Sequence, residues 1–205
     1  PPVGRLGDVQ HQPLLVQLSA SGTVEKVIGR IPGVFCWGSA STRGVTRFCP
    51  VYRTGYAPDG SGLAVAGPVD GWPRDPSVRV TRISAAGDTI FSTTFTAPVV
   101  SVPRTVRDSL NALPQPPGVI ARPAIASEYP PVESVRVGHD GRVWVEVQAG
   151  SSDHRQFYVL SPSGRLSARV RIPGRFNLWE ARSGRISGIQ LDDDDVPSIV
   201  QYVLR

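Results

Sequence analysis

The chain has no methionine, a single lysine and only two cysteines among its 205 residues. Without a methionine it does not read as a complete primary translation product. Residues are expected before Pro1, where there is room for an export signal or a membrane anchor. Within the chain itself no signal peptide is visible, and no apolar stretch approaches the ~18–20 residues needed to span a bilayer, so no transmembrane span is expected. With lysine reduced to Lys26, 21 of the 22 basic residues are arginine, the net charge is +5 and the pI is near 9.8. No basic run exceeds two residues. The arginines therefore read as solvated strand faces rather than as a polyanion-binding surface, and nucleic acid is not an expected partner.

The scarcity of cysteine excludes other chemistry. Cys36 and Cys49 are separated by twelve residues. Two thiols with no nearby histidine or second cysteine pair cannot fill a four-ligand zinc site, and no CxxC is present. Two readings stay open, a disulfide closing a small loop or two buried thiols, and the disulfide is the expectation. No GxSxG nucleophile elbow occurs, and the three histidines are dispersed.

What the chain does have is glycine and proline, 21 and 20 residues, the usage of many short strands joined by turns. The segments "LSASGTVEKVIGRIPG" (18–33), "ISAAGDTIFSTTFTAP" (83–98) and "LSPSGRLSARVRIPG" (160–174) share one pattern. Each has an apolar residue, a serine and small residues, then a glycine (Gly22, Gly87, Gly164) and an alternating strand. A second pattern precedes it, in "YAPDGSGLAVAG" (56–67), "VGHDGRVWVEVQ" (137–148) and "EARSGRISGIQL" (180–191), turning at Gly60, Gly141 and Gly184. Asp-Gly between apolar runs signals a tight hairpin. The two patterns alternate, so the repeating unit has four strands. Gly141 and Gly184 are 43 residues apart, the period of a four-stranded propeller blade.

The fold class expected is all-β, with four-stranded antiparallel repeats forming a β-propeller or partial propeller. A two-sheet sandwich is the alternative. The units fall at about 14–33, 50–98, 132–174 and 175–205, about 13 strands in all, with a proline-rich insert at 99–131. Val102, Val106 and Leu110 form one stripe of a short helix in that insert, beginning near Pro103 and ending before Pro114. In "RVWVEV", Val143, Val145 and Val147 share one face and Trp144 takes the other, as expected of an inner strand packed between two sheets. In "RLSARVRI" the arginines alternate with apolar residues, as expected of a protected outer strand. Trp144 and Trp179 are both expected in the core, and Trp37 against the cysteines.

The stretch "YPPVESVRVGHDGRVWVEV…FYVLSPSGRLSARVRIPG" resembles a blade of exported bacterial six-bladed β-propellers of the NHL/TolB-like type. Those blades carry an Asp-Gly-Arg-hydrophobic-Trp-Val turn followed by a Pro-x-Gly-Arg-Leu hairpin. The likeness runs over 129–205 and more loosely over 50–98. Ser183 departs from it where Asp is expected before Gly184, and six blades need about twice the strands counted. The resemblance implies an extracytoplasmic scaffold and brings no catalytic residues with it.

In such a fold the longer connections gather at one end of the sheets. That end would hold 67–77, 149–155, 191–197 and the insert. Trp72, flanked by Gly71 and Pro73, with Arg74 and Asp75 beside it, suits an interface hot spot. Asp153 and His154, near Ser151 and Ser152, invite a triad reading that sequence adjacency alone does not support, and they are expected to face a partner. Ile125 and Tyr129 are apolar anchors on the insert, read as a docking arm. Asp192 to Asp195 read as a solvated acidic turn, with Asp192 and Asp194 the weak candidates for a cation. His139 reads as a turn residue at the opposite end, and His11 has no place in the pattern. No catalytic residue and no cofactor is expected. The function expected is a non-catalytic interaction module, an accessory or scaffolding subunit outside the cytoplasm with protein partners, a membrane complex among them. The alternative is a small-molecule-binding propeller or a Ca-dependent hydrolase or lactonase.

Overall fold

A computed structural model describes residues 14–19, 21–30, 47–70, 72–114, 124–182 and 184–203. Among these, thirteen strands form four antiparallel sheets and one short helix interrupts them. The first sheet pairs β1 (Leu14–Leu18) with β2 (Val24–Arg30). The second orders β3 (Arg53–Tyr56), β4 (Gly62–Pro68), β5 (Ser77–Ser84) and β6 (Thr89–Thr96) as a meander. The third repeats it with β7 (Val132–Val137), β8 (Val143–Val147), β9 (His154–Leu160) and β10 (Leu166–Pro173). The last has only three strands, β11 (Phe176–Arg182), β12 (Arg185–Leu191) and β13 (Pro197–Val203). The all-β class and the four-stranded repeat are thus present, and none of the sheets closes on itself.

The repeat has a local cause. In all three serine-glycine hairpins the serine hydroxyl accepts a backbone N–H four residues on, at 3.1 Å, in the pairs Ser19–Thr23, Ser84–Asp88 and Ser161–Arg165. The turn needs a left-handed residue after it, and Gly22, Gly87 and Gly164 supply it at φ +82°, +92° and +85°. In the other hairpin class Asp59 and Asp140 accept the N–H two residues on, from Ser61 at 2.9 Å and Arg142 at 3.2 Å. The Asp-Gly signal is therefore an Asx turn followed by a glycine at positive φ.

The sheets stack face to face in chain order, each burying apolar residues against the next. Leu63 and Val65 of β4 pack with Ile28 of β2. Val78, Val80 and Phe91 of the second sheet meet Val135, Val143, Val145, Val147 and Leu160 of the third. On its other side the third sheet turns Trp144, Phe157 and Val159 against Phe176, Leu178 and Ile186. Every residue of β8 is buried, as its two apolar faces require. β10 lies at the edge of its sheet and is largely exposed, as its alternating arginines require. Adjacent innermost strands run very close: a Cβ on Gly55 of β3 would lie 2.3 Å from the carbonyl oxygen of Val135 in β7.

Trp144 is core, 3% exposed, but Trp179 is not. It stands 57% exposed at an irregularity between Leu178 and Glu180, on a side of the last sheet that no other sheet among the described residues covers. That corrects the expectation of a core residue: Trp179 is on a strand, as read, but nothing among the described residues lies over it.

In the insert the helix α1 spans Arg104–Ala112 with Pro103 as its N-cap, within the proline stops of the sequence; Val106 and Leu110 of the expected stripe lie on it, but Val102 precedes it. Its base is pinned by Val102, whose N–H donates to Ser127 (2.8 Å), and by Tyr129, whose N–H donates to Val100 (2.8 Å).

Candidate polar clefts at the loop end

Two adjoining clefts open where the long connections of the third and fourth sheets meet. The larger, about 700 Å³, lies between Ser152, Asp153, Gly174, Arg175, Asp192 and Asp193. The smaller, about 280 Å³, has a denser set of polar groups, among them Glu133, Glu146, Gln148, His154 and Arg155. Ser152 and Gly174 line both. A Cβ on Gly174 would lie 1.7 Å from the Ser152 carbonyl oxygen, so this crossing of two backbones requires glycine.

The smaller cleft is built by a break in a strand register. Val132 pairs with Val147 and Ser134 with Glu146, which leaves Glu133 as the extra residue of a β-bulge. Glu146 is 4% exposed. Its two oxygens are both occupied, Oε2 accepting the Ser134 hydroxyl (2.7 Å) and Oε1 accepting Nη1 of Arg155 (3.2 Å). Arg155 Nε donates in turn to the Gly174 carbonyl (3.1 Å). The buried carboxylate is thereby neutralised and hydrogen-bonded, as burial of a charge demands. Glu133 has no ion pair among the described residues. Its carboxyl is held above the ordinary glutamate range, first by partial burial, then by the Glu146 charge and by a hydrogen bond between the two carboxyl groups, against the opposing pull of Arg155 and Arg53. As a residue Glu133 is exposed, so its desolvation is incomplete.

The sequence-derived candidates divide. Asp153, His154, Asp192 and Asp193 do come together on the two clefts. The hydroxyl of Ser151 accepts the Asp153 N–H (3.1 Å), and the Asp153 carbonyl accepts the Gly174 N–H (2.8 Å); both serve the turn rather than a triad. Asp192 caps its own turn, Oδ1 accepting the N–H groups of Asp194 (3.0 Å) and Val196 (2.9 Å). Arg175 pairs with Asp193 at 3.6 Å and also with Asp195. The acidic run is an exposed turn, and among the described residues no three His, Cys, Asp or Glu side chains converge as metal ligands.

Trp72, Arg74 and Asp75 occupy the β4–β5 connection and line neither cleft. Trp72 is partly buried, while Arg74 and Asp75 are exposed. Ile125 and Tyr129 are engaged within the chain: Ile125 bridges Arg47, and the Tyr129 ring meets Phe48 edge-on at 4.9 Å. His139 sits in the hairpin turn at the far end, 2.9 Å from Glu180, and its N–H donates to Ala181 (3.1 Å), tying the third sheet to the fourth. Cys36, Trp37 and His11 lie outside the described residues, so the Cys36–Cys49 pairing does too. No helix among the described residues is long and apolar enough to cross a membrane.

Glu133, Glu146 and Arg155 were missed in the sequence. One signal was there to find: Glu146 is the single charged residue in a strand otherwise made of valine and tryptophan. A carboxylate on an inner strand must have a partner.

The fold and the clefts define an all-β protein of face-stacked antiparallel sheets with a polar loop end. The chain matches no family model, no curated protein and no solved structure.

Proposed function

We propose that the protein is a non-catalytic interaction module, an accessory or scaffolding subunit that works outside the cytoplasm with a protein partner. The propeller resemblance belongs to the same reading, with the described sheets forming an open arc. The observation that carries it is the outer side of the last sheet. There Trp179, Ile199 and Val203 are 57%, 81% and 65% exposed, in a sheet that has three described strands where the second and third sheets have four. Exposed apolar side chains set among arginines and amides, beside an unpaired strand edge, form a surface that a partner strand or sheet covers.

The reading is tested by co-purification and solution mass of the wild type against a Trp179→Ser/Ile199→Ser variant. The wild type is expected to carry a stoichiometric partner. The variant should be equally folded and alone. A wild type that runs as a clean monomer overturns the proposal. In the same preparation, alkylation without reductant should add no mass at Cys36 and Cys49; two alkylated thiols would remove the support for an oxidising compartment. Binding of a small polar molecule is the second reading, favoured by the smaller cleft.

A further inference from the structure

We infer that the 280 Å³ cleft is a binding site for an organic cation, an alkylammonium group of the lysine side-chain type, seated on Glu133. The site goes beyond the interaction reading and does not depend on it.

The argument rests on an imbalance of charge within a formed cavity. Of the two carboxyl groups, Glu146 is fully compensated by Ser134 and Arg155. Arg155 Nε also donates to the Gly174 carbonyl. Glu133 is left beside a second carboxylate with no ion pair among the described residues, and the bulge gives it no opposite residue in the sheet. Glu146 opposes its ionisation by its charge and by a hydrogen bond that holds a proton between the two carboxyl groups, while Arg155 and Arg53 favour ionisation; a bound cation takes the place of that proton. His154 lines the same cleft. A cation placed against Glu133 would offset the Glu146 repulsion and recover part of what burial costs the carboxylate.

The form of the cation follows from the lining. Metal ions want several anionic or imidazole ligands around one point, and no such convergence exists among the described residues. An ammonium needs one carboxylate and neutral oxygens for its other N–H groups. Gln148, Ser151 and Ser152 bring oxygens of that kind to the cleft, while Val147 and Ala149 give apolar atoms beside which an alkyl stem can lie.

The test is an NMR titration of the Glu133 side-chain carboxyl with n-butylammonium chloride, against sodium chloride at equal ionic strength. Butylammonium is expected to give saturable shifts at Glu133 and residues 146–155 and to lower the Glu133 pKa towards the ordinary glutamate range. Glu133→Gln should weaken binding at least about tenfold while preserving the amide spectrum, and Glu133→Asp should retain part of it. If sodium produces the same response, the effect is screening and the site falls. Equal binding by Glu133→Gln overturns the assignment as well. Because the readout is local to Glu133 and uses a small probe, loss of the interaction reading would leave this result standing, and the reverse.

Discussion

The third and fourth sheets are both antiparallel meanders of short strands, four in one and three in the other, and differ in what stands next to them. Val143, Val145 and Val147 of the third sheet face the second, while Trp144, Phe157 and Val159 face the fourth. The fourth sheet buries Phe176, Leu178 and Ile186 on one side only. The outer strands show the same contrast. Phe91 of β6 is 9% exposed, tucked against the Gly164 turn so closely that a Cβ there would lie 2.7 Å from its ring. Ala168 holds the equivalent place on β10, counted from the shared turn glycine, and is exposed. Equal sequence patterns thus gave unequal burial, and the neighbouring sheet decided which.

The contrast breaks most visibly at Phe157, 1% exposed at the centre of the third sheet. Phe157→Ala should cost about 3–5 kcal/mol by urea denaturation. Ile199→Ser on the open face should stay within about 0.5 kcal/mol. Comparable losses would mean that the last face is covered in solution by the protein itself.

Next comes Arg155, whose removal strands the buried Glu146. Arg155→Met should cost about 2–3 kcal/mol, below the usual penalty for a broken buried pair because Arg155 is part-exposed. Adding Glu146→Gln should recover most of the loss. If it does not, Arg155 acts chiefly through its bond to Gly174.

The smallest effect is expected at Glu133. Its folded pKa is raised, so in the window between its unfolded and folded values the native state binds more protons than the unfolded chain, and stability falls as pH rises. Above the window the penalty is complete. Glu133→Gln should therefore raise the melting temperature at pH 7 by about 1 °C, a modest figure because the group is partly exposed. The gain should shrink as the pH is lowered through the window. A gain that does not vary with pH would assign the effect to packing instead.

Much of the fold was legible because its signals are local. A serine, a glycine and an Asp-Gly step each fix one turn, and alternation fixes the faces between turns. The grouping of strands into two, four, four and three could be counted, as could a helix bounded by Pro103 and Pro114. The misplacement of Trp179 shows the limit: a residue on a well-formed strand is buried only if something lies over it, and that is not written in the strand. The site was less legible still. Asp153, His154, Asp192 and Asp193 line two adjoining clefts while Trp72, Arg74 and Asp75 line neither, and the Glu133 bulge depends on a register slip of one residue between two strands. No spacing rule exposes such a slip. Ile125 and Tyr129 read as free anchors because their partners, Arg47 and Phe48, lie far back in the chain.

The recurrence of one serine-glycine turn in three places bears on cooperativity. Strand neighbours within a sheet are also neighbours in sequence, and among the described residues each sheet packs on the sheets before and after it along the chain. Such an array behaves as a linear series of coupled units, in which stability is a sum of unit energies and nearest-neighbour couplings. The third sheet draws on two couplings and the fourth on one. Amide exchange should accordingly be slowest in β8 and β9 and quicken towards β13, so that the face offered to a partner is also the part of the chain that opens most readily.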